Sequence, residues 1–176
     1  MSIWQQSHRF DPAACALADR HYSRRKPGSP QFMPPGSCRV LVANNRKAVF
    51  GLSVPKPEFV KHAWAGAWIV SIFRNEEAGP LASDMIRDAL AHMRSEYDLP
   101  ELGCVTFVDP KMVPGVLCRG ERVKGFCFWK AGFRAVGETK GGLIAWQLPA
   151  FELCKLHVAR APATAIPSTR RKRGAK

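Results

Sequence analysis

This chain predicts an α+β fold on a single sheet of mixed strand direction, and three observations carry that prediction. Residues 67–73 (Ala-Trp-Ile-Val-Ser-Ile-Phe) form a nearly unbroken apolar run, as expected of a central strand buried on both faces. Residues 81–97 place Leu81, Met85, Ala89 and Met93 at four-residue spacing with Ile86 and Leu90 beside them, which makes one apolar stripe along a helix. Two strand pairs close on short turns: 38–43 with 47–54 across Asn44-Asn45, and 133–138 with 143–148 across Thr-Lys-Gly-Gly.

The remaining elements follow in chain order. Residues 11–20 read as a short helix, with Asp11 as N-cap and Pro12 at the first helical position. It delivers His21 and Tyr22 to the segment 21–36, which holds four prolines, two serines and three cations. Prolines block helix interiors and central strands, so these polar groups belong on a stiff loop, where binding and chemistry concentrate. Pro55-Lys56-Pro57 ends the first hairpin, and Leu99-Pro100 ends the long helix. Residues 103–108 form another buried strand closed by Asp109-Pro110, 111–125 read as a Pro/Gly/basic loop, and 126–131 as a short helix. After Pro149 the pattern fades. Residues 1–150 are therefore expected to form one domain, and 151–176 a basic, Pro/Ala-rich, disordered tail.

The chain has 176 residues, 46% of them hydrophobic, enough for one domain with a real core. No apolar run reaches the roughly 18 residues of a membrane span, and the N-terminus lacks a basic-then-apolar leader. The expected location is the cytoplasm of the cell that makes the protein, with no membrane partner. Six cysteines include no Cys-x-x-Cys pair, so reduced thiols are expected. The formal net charge is +13, and the body stays basic without the Arg160–Lys176 cations. Nucleic acid is the simplest polyanionic partner; the alternative is solubility charge. A homodimer is compatible with the sequence.

Individual residues sharpen this reading. His21 suits a general base or a metal ligand, and Tyr22 a proton donor or stacking ring; the alternative for each is packing. Ser23, Arg24, Arg25 and Lys26 are phosphate contacts on the Pro-rich loop, joined by Lys124 and Lys130 further on. Arg74 follows the central strand and precedes the long helix, where a guanidinium grips phosphate bidentately; its alternative is a salt bridge to Glu76 or Glu77. Ser71 and Ser83 are weaker candidates beside it, Ser83 doubling as a first-turn cap. Asp109 ends a buried strand, as an acid/base or metal ligand with His21, or else as an Asx turn before proline. Trp64, Trp68 and Phe32 are candidates for a stacking surface, with Trp68 better placed for the core.

The element order, ending in Cys127-Phe-Trp-Lys-Ala-Gly-Phe-Arg-Ala-Val-Gly-Glu138, resembles the tail of the GNAT acyltransferase fold. Arg74 and Gly79 lie where that family holds a pyrophosphate, at a different spacing. Adding His21-Tyr22-Ser23-Arg24, Pro30-Gln31-Phe32, Pro34-Pro35-Gly36, Phe73-Arg74-Asn75-Glu76, Thr106-Phe107-Val108-Asp109-Pro110 and Lys130-Ala131-Gly132-Phe133, the chain resembles the phage Mom family over residues 15–148. The resemblance implies a GNAT-like sheet flanked by helices. It also implies an enzyme acting on double-stranded DNA with an extruded adenine, whose N6 receives a carbamoylmethyl group that protects phage DNA from restriction. Acetyl-CoA and iron are the cofactors it implies, with His21 and Asp109 as ligands. Phe128 stands where many relatives carry a tyrosine. Two other functions remain open: a GNAT acetyltransferase acting on a small amine or protein, and a non-catalytic DNA-binding protein on a decayed GNAT fold.

Overall fold

The computed structural model describes residues 2–157; Met1 and 158–176, including most of the expected tail, lie outside the described residues. The strands are β1 (Trp4–Ser7), β2 (Cys38–Ala43), β3 (Ala48–Ser53), β4 (Trp68–Asn75), β5 (Cys104–Val108), β6 (Gly115–Cys118), β7 (Glu121–Lys124), β8 (Arg134–Glu138) and β9 (Ile144–Leu148). The helices are α1 (Pro12–Asp19), α2 (Ala82–Glu96), α3 (Phe126–Lys130) and α4 (Ala150–Leu153). Seven strands form one sheet in the order β1-β2-β3-β4-β5-β9-β8. Its central pair, β4 with β5, is parallel and every other pair is antiparallel, so the α+β class with mixed strand direction holds. No helix among the described residues is long and apolar enough to cross a membrane.

Every expected strand and helix forms within two residues of its expected bounds, and β1, β6, β7 and α4 are additional. Edge strand β1 is polar apart from Trp4, which is buried and donates its indole N–H to the Met85 carbonyl at 3.0 Å. The 111–125 stretch, expected as loop, holds the β6–β7 hairpin; Arg119 (φ 52°) and Gly120 (φ 86°) make its tight turn in left-handed backbone. Helix α4 follows Pro149, and Leu153 and Leu156 are buried against the main core, so the packed body extends beyond residue 150.

Two layers cover the sheet. Met85, Ile86, Ala89, Leu90 and Met93 of α2 are fully buried on one face against Phe50, Trp68 and Phe133, the stripe the periodicity predicts except for Leu81, which stands at the N-cap and is exposed. On the other face, Ala14, Leu17 and Ala18 of α1 pack with Met33 over Val40, Val49 and Ile72. Asp11 caps α1, accepting from the Ala13 and Ala14 amides at 2.7 and 3.2 Å. Gly51 leaves room for Met33: a Cβ there would lie 2.5 Å from its sulfur. The close approach of Met33 to Gly51 seats the Pro-rich loop on the sheet.

One irregularity sets up the rest. Opposite β3, Leu52 pairs with Val70 and Gly51 with Ile72, so Ser71 is an extra residue in β4, a β-bulge. On the other side, β4 pairs with β5 only from Trp68 to Val70, against Cys104–Thr106. Beyond that point the two parallel strands are no longer paired with each other.

Candidate functional site

The cleft lies where β4 and β5 part. It is about 220 Å³, floored by Val70–Phe73 and Thr106–Val108 and roofed by His21, Tyr22, Cys127 and Phe128. The Thr106 hydroxyl donates to the Val70 carbonyl at 3.0 Å, closing the last paired rung. Bulged Ser71 is within hydrogen-bond distance of Ser53, Oγ to Oγ 2.8 Å. Bulges re-aim a side chain and end strand pairing, and Ser71 sits at that switch.

The α1 terminus delivers the first functional group. His21 continues the last turn, its amide donating to the Ala18 carbonyl at 2.9 Å. Its Nδ1 accepts the Ser23 amide at 3.2 Å and lies 2.7 Å from Ser23 Oγ. An Nδ1 that accepts an amide leaves the proton of the neutral ring on Nε2. Burial, with the nearby Arg74 charge, pushes the imidazole pKa down to about 4, so the ring is neutral near pH 7. The Tyr22 ring lies against it, centroids 4.4 Å apart. The Tyr22 oxygen accepts a long bond from the Asp109 amide at 3.4 Å, and burial raises its pKa, so the phenol keeps its proton.

Arg24, expected as a phosphate contact, is instead turned inward. Its Nε donates to Asp19 at 2.7 Å, its Nη1 to the Gln31 carbonyl at 2.9 Å and its Nη2 to the Ser29 carbonyl at 2.5 Å. Only 9% of the side chain is exposed. Asp19 also accepts the Gly28 amide at 2.8 Å. This pair folds the Pro-rich loop back on α1 and leaves Arg25 and Lys26 exposed, with no ion pair among the described residues. They border a hollow of about 600 Å³ that shares Ser23, Ser71 and Ile72 with the cleft.

Arg74 takes its salt-bridge alternative. Its Nε donates to Glu76 at 2.6 Å, and Arg20 binds the same carboxylate through two nitrogens at 2.7 and 2.8 Å. The two guanidinium partners hold the Glu76 pKa down at about 2. With Glu76 and Glu77 in it, the loop before α2 does not present a free pyrophosphate cradle. Ser83 is in the first turn of α2, which has no side-chain cap, and does not line the cleft. Asp109 accepts the Lys111 amide at 2.9 Å, the Asx-turn alternative. No group of three or more His, Cys, Asp or Glu side chains suited to a metal occurs among the described residues. Lys124 donates to the Val113 carbonyl at 2.9 Å, whereas Lys130 is exposed over the Phe126 and Trp129 rings. Phe128 packs edge-on between Phe73 and Phe133 and is 8% exposed. Trp68 is buried core, Phe32 lines the basic hollow, and Trp64 lies on the far sheet face.

Of the residues singled out in the sequence, the structure brings His21, Tyr22, Ser23 and Ser71 to one cleft, and Asp109, Arg74 and Ser83 are not among its lining residues. Thr106 and Cys127 as its walls, and Ser53 as the partner of Ser71, were not among the candidates. Burial raises the Cys127 thiol pKa, so this wall is uncharged. No family model, curated protein or solved structure matches the chain.

Proposed function

We propose that this protein is a Mom-type DNA-modifying transferase on a GNAT-like sheet, acting on the N6 amino group of adenine. The observation that carries this reading is one cleft, with room for a single extruded base, that combines a neutral His21–Ser23 pair and the Tyr22 phenol beside an exposed basic loop. In this reading Arg25, Lys26 and Lys130 contact DNA phosphates. The apolar floor excludes water. As N6 bonds to carbon it loses a proton, which passes through the Ser23 hydroxyl to Nδ1 of His21. Tyr22 keeps its phenolic proton and donates a hydrogen bond to the adenine ring.

Acetyl-CoA is the acyl donor that the resemblance implies. The parting strands, no longer paired with each other beyond Val70, leave a gap that suits an extended amide chain, whereas the acid-bearing loop with Arg74 bound to Glu76 does not fit its pyrophosphate. When bound, the cofactor supplies an activated acyl group. Iron is the other cofactor that the resemblance implies, but Asp109 is turned onto the Lys111 amide and no set of three ligands occurs among the described residues, so the site does not fit it and no step is routed through it. The product in this reading is N6-carbamoylmethyladenine, which protects phage DNA from host restriction. Plain acetyl transfer would release coenzyme A and leave N6-acetyladenine, so the N6–methylene bond and the amide nitrogen draw on a second donor, an amino-bearing small molecule. Nucleoside mass spectrometry of plasmid DNA from bacteria expressing the chain tests this: a heavier deoxyadenosine is expected, and unmodified deoxyadenosine from folded protein counts against it.

A further inference from the structure

The sheet face away from α2 carries a feature that the cleft chemistry does not use. Residues 55–66 cross it, and His62, Trp64 and Phe107 form a three-ring cluster with centroids 5.2–5.9 Å apart. The Trp64 amide donates to His62 Nδ1 at 3.2 Å and fixes the imidazole. Phe107 also lines the cleft, so the cluster and the candidate site share a wall. Nearby, Phe59 is 75% exposed on the surface.

The hollows on this face share walls. One of about 600 Å³ opens over His62 and Trp64, between Lys61 and Lys140. A second, of about 300 Å³, shares Lys61 and His62 with it, includes Phe59, and reaches Ser71 and Pro34. Ser71 and Pro34 also wall the hollow beside Arg25 and Lys26. A row of adjacent hollows therefore leads from the basic loop, by way of Ser71, which also lines the cleft, to the ring cluster, and forms a trough. Glu138 is the single acid among the residues lining these three hollows, against Arg24, Arg25, Lys26, Lys61 and Lys140.

We infer that this trough binds a single-stranded segment of DNA, with Phe59 and the His62–Trp64 face stacking bases that flank the target nucleotide. The inference rests on the DNA-directed reading above. Rings alternating with cations are what a sequence-tolerant single strand requires: every base offers a π face, and its backbone follows positive charge. Stacking on side chains needs unpaired bases, which matches a cleft that takes its target out of the duplex.

The test uses the full chain and a fluorescent thymidine-only strand of about 12 nucleotides, followed by anisotropy across a salt series. Without adenine the strand cannot be modified, so binding is read independently of the proposed chemistry. Phe59→Ala is the decisive variant because so exposed a ring contributes little to folding; a roughly five- to tenfold weaker affinity is expected. Trp64→Ala should weaken binding at least as much and Trp64→Phe less. Lys61→Gln with Lys140→Gln should lower the salt slope by roughly 0.7 for each phosphate that is no longer neutralised. Phe59→Ala and Trp64→Phe both binding like the wild type, or a wild type that ignores the strand, would overturn the inference. If Trp64→Ala unfolds, Phe59→Ala and the lysine pair decide the matter. If these strands bind as expected but adenine DNA stays unmodified, the trough stands and the transferase reading falls.

Discussion

The β4–β5 pair is sealed at one end and open at the other. At the sealed end Trp68, Val70 and Cys104 are buried, the rungs are continuous, and backbone packs on backbone. Three residues along β4, the same strands flank a cleft roofed by an imidazole and a phenol. What separates the two is the bulge at Ser71, one residue beyond the last paired rung. The comparison teaches that a sheet can hold an open cleft next to its tightest core without a second domain, provided pairing ends at a defined residue.

The largest expected effect breaks the sealed end. Gly103 precedes β5 at φ 69°, and a Cβ there would meet the Leu148 carbonyl oxygen at 2.1 Å. Gly103→Ala should cost about 3 kcal/mol or more, read from urea midpoints, and most of the protein should lose its native fold. A drop in stability under about 1 kcal/mol would mean the sealed end is looser than described.

The second prediction concerns the open end and acid. Folding lowers the His21 pKa from 6.5 to about 4, so the unfolded chain binds more protons in that window. The neutral-imidazole contribution is fully present above pH 6.5 and is lost as pH falls toward 4. The decline from this group should reach about 3 kcal/mol, and His21→Phe should flatten it. Urea midpoints at neutral and acid pH, in wild type and variant, read the difference.

These two ends were not equally legible in the sequence. The α2 stripe, the apolar run of β4 and the Asp11 cap signal themselves through period and residue type, because burial on a regular element repeats. The bulge at Ser71 does not. An extra residue inside an apolar run leaves composition and pattern almost unchanged, and only the pairing with β3 exposes it. Arg24, Arg25 and Lys26 are three adjacent cations of similar chemistry. Which one turns inward depends on Asp19 and on the Gln31 and Ser29 carbonyls, partners the loop brings together only when folded. The β6–β7 hairpin was hidden by its cations and by an Arg119-Gly120 turn that lacks the usual Asn or Asp.

Arg24 and Arg25 sharpen the comparison next. Arg24→Ala removes the inward anchor and leaves Asp19 without its guanidinium, so stability should fall by about 2 kcal/mol. Proteolysis within 25–36 should become faster as the loop loosens. Arg25→Ala should leave stability unchanged and lower the salt slope of duplex DNA binding by about 0.9. Equal effects from both would erase the distinction between an anchor and a phosphate-binding cation.

Nucleoside mass spectrometry on DNA from bacteria expressing wild type, Trp68→Phe and His21→Gln compares the two ends directly. Trp68→Phe alters the sealed end conservatively, and His21→Gln keeps the bulk of the open end while removing its imidazole. Carbamoylmethylated deoxyadenosine in the first two, and none in the third with its fold intact, is the predicted result. Equal modification in His21→Gln, or none in folded wild type, would contradict the assignment of chemistry to the open end.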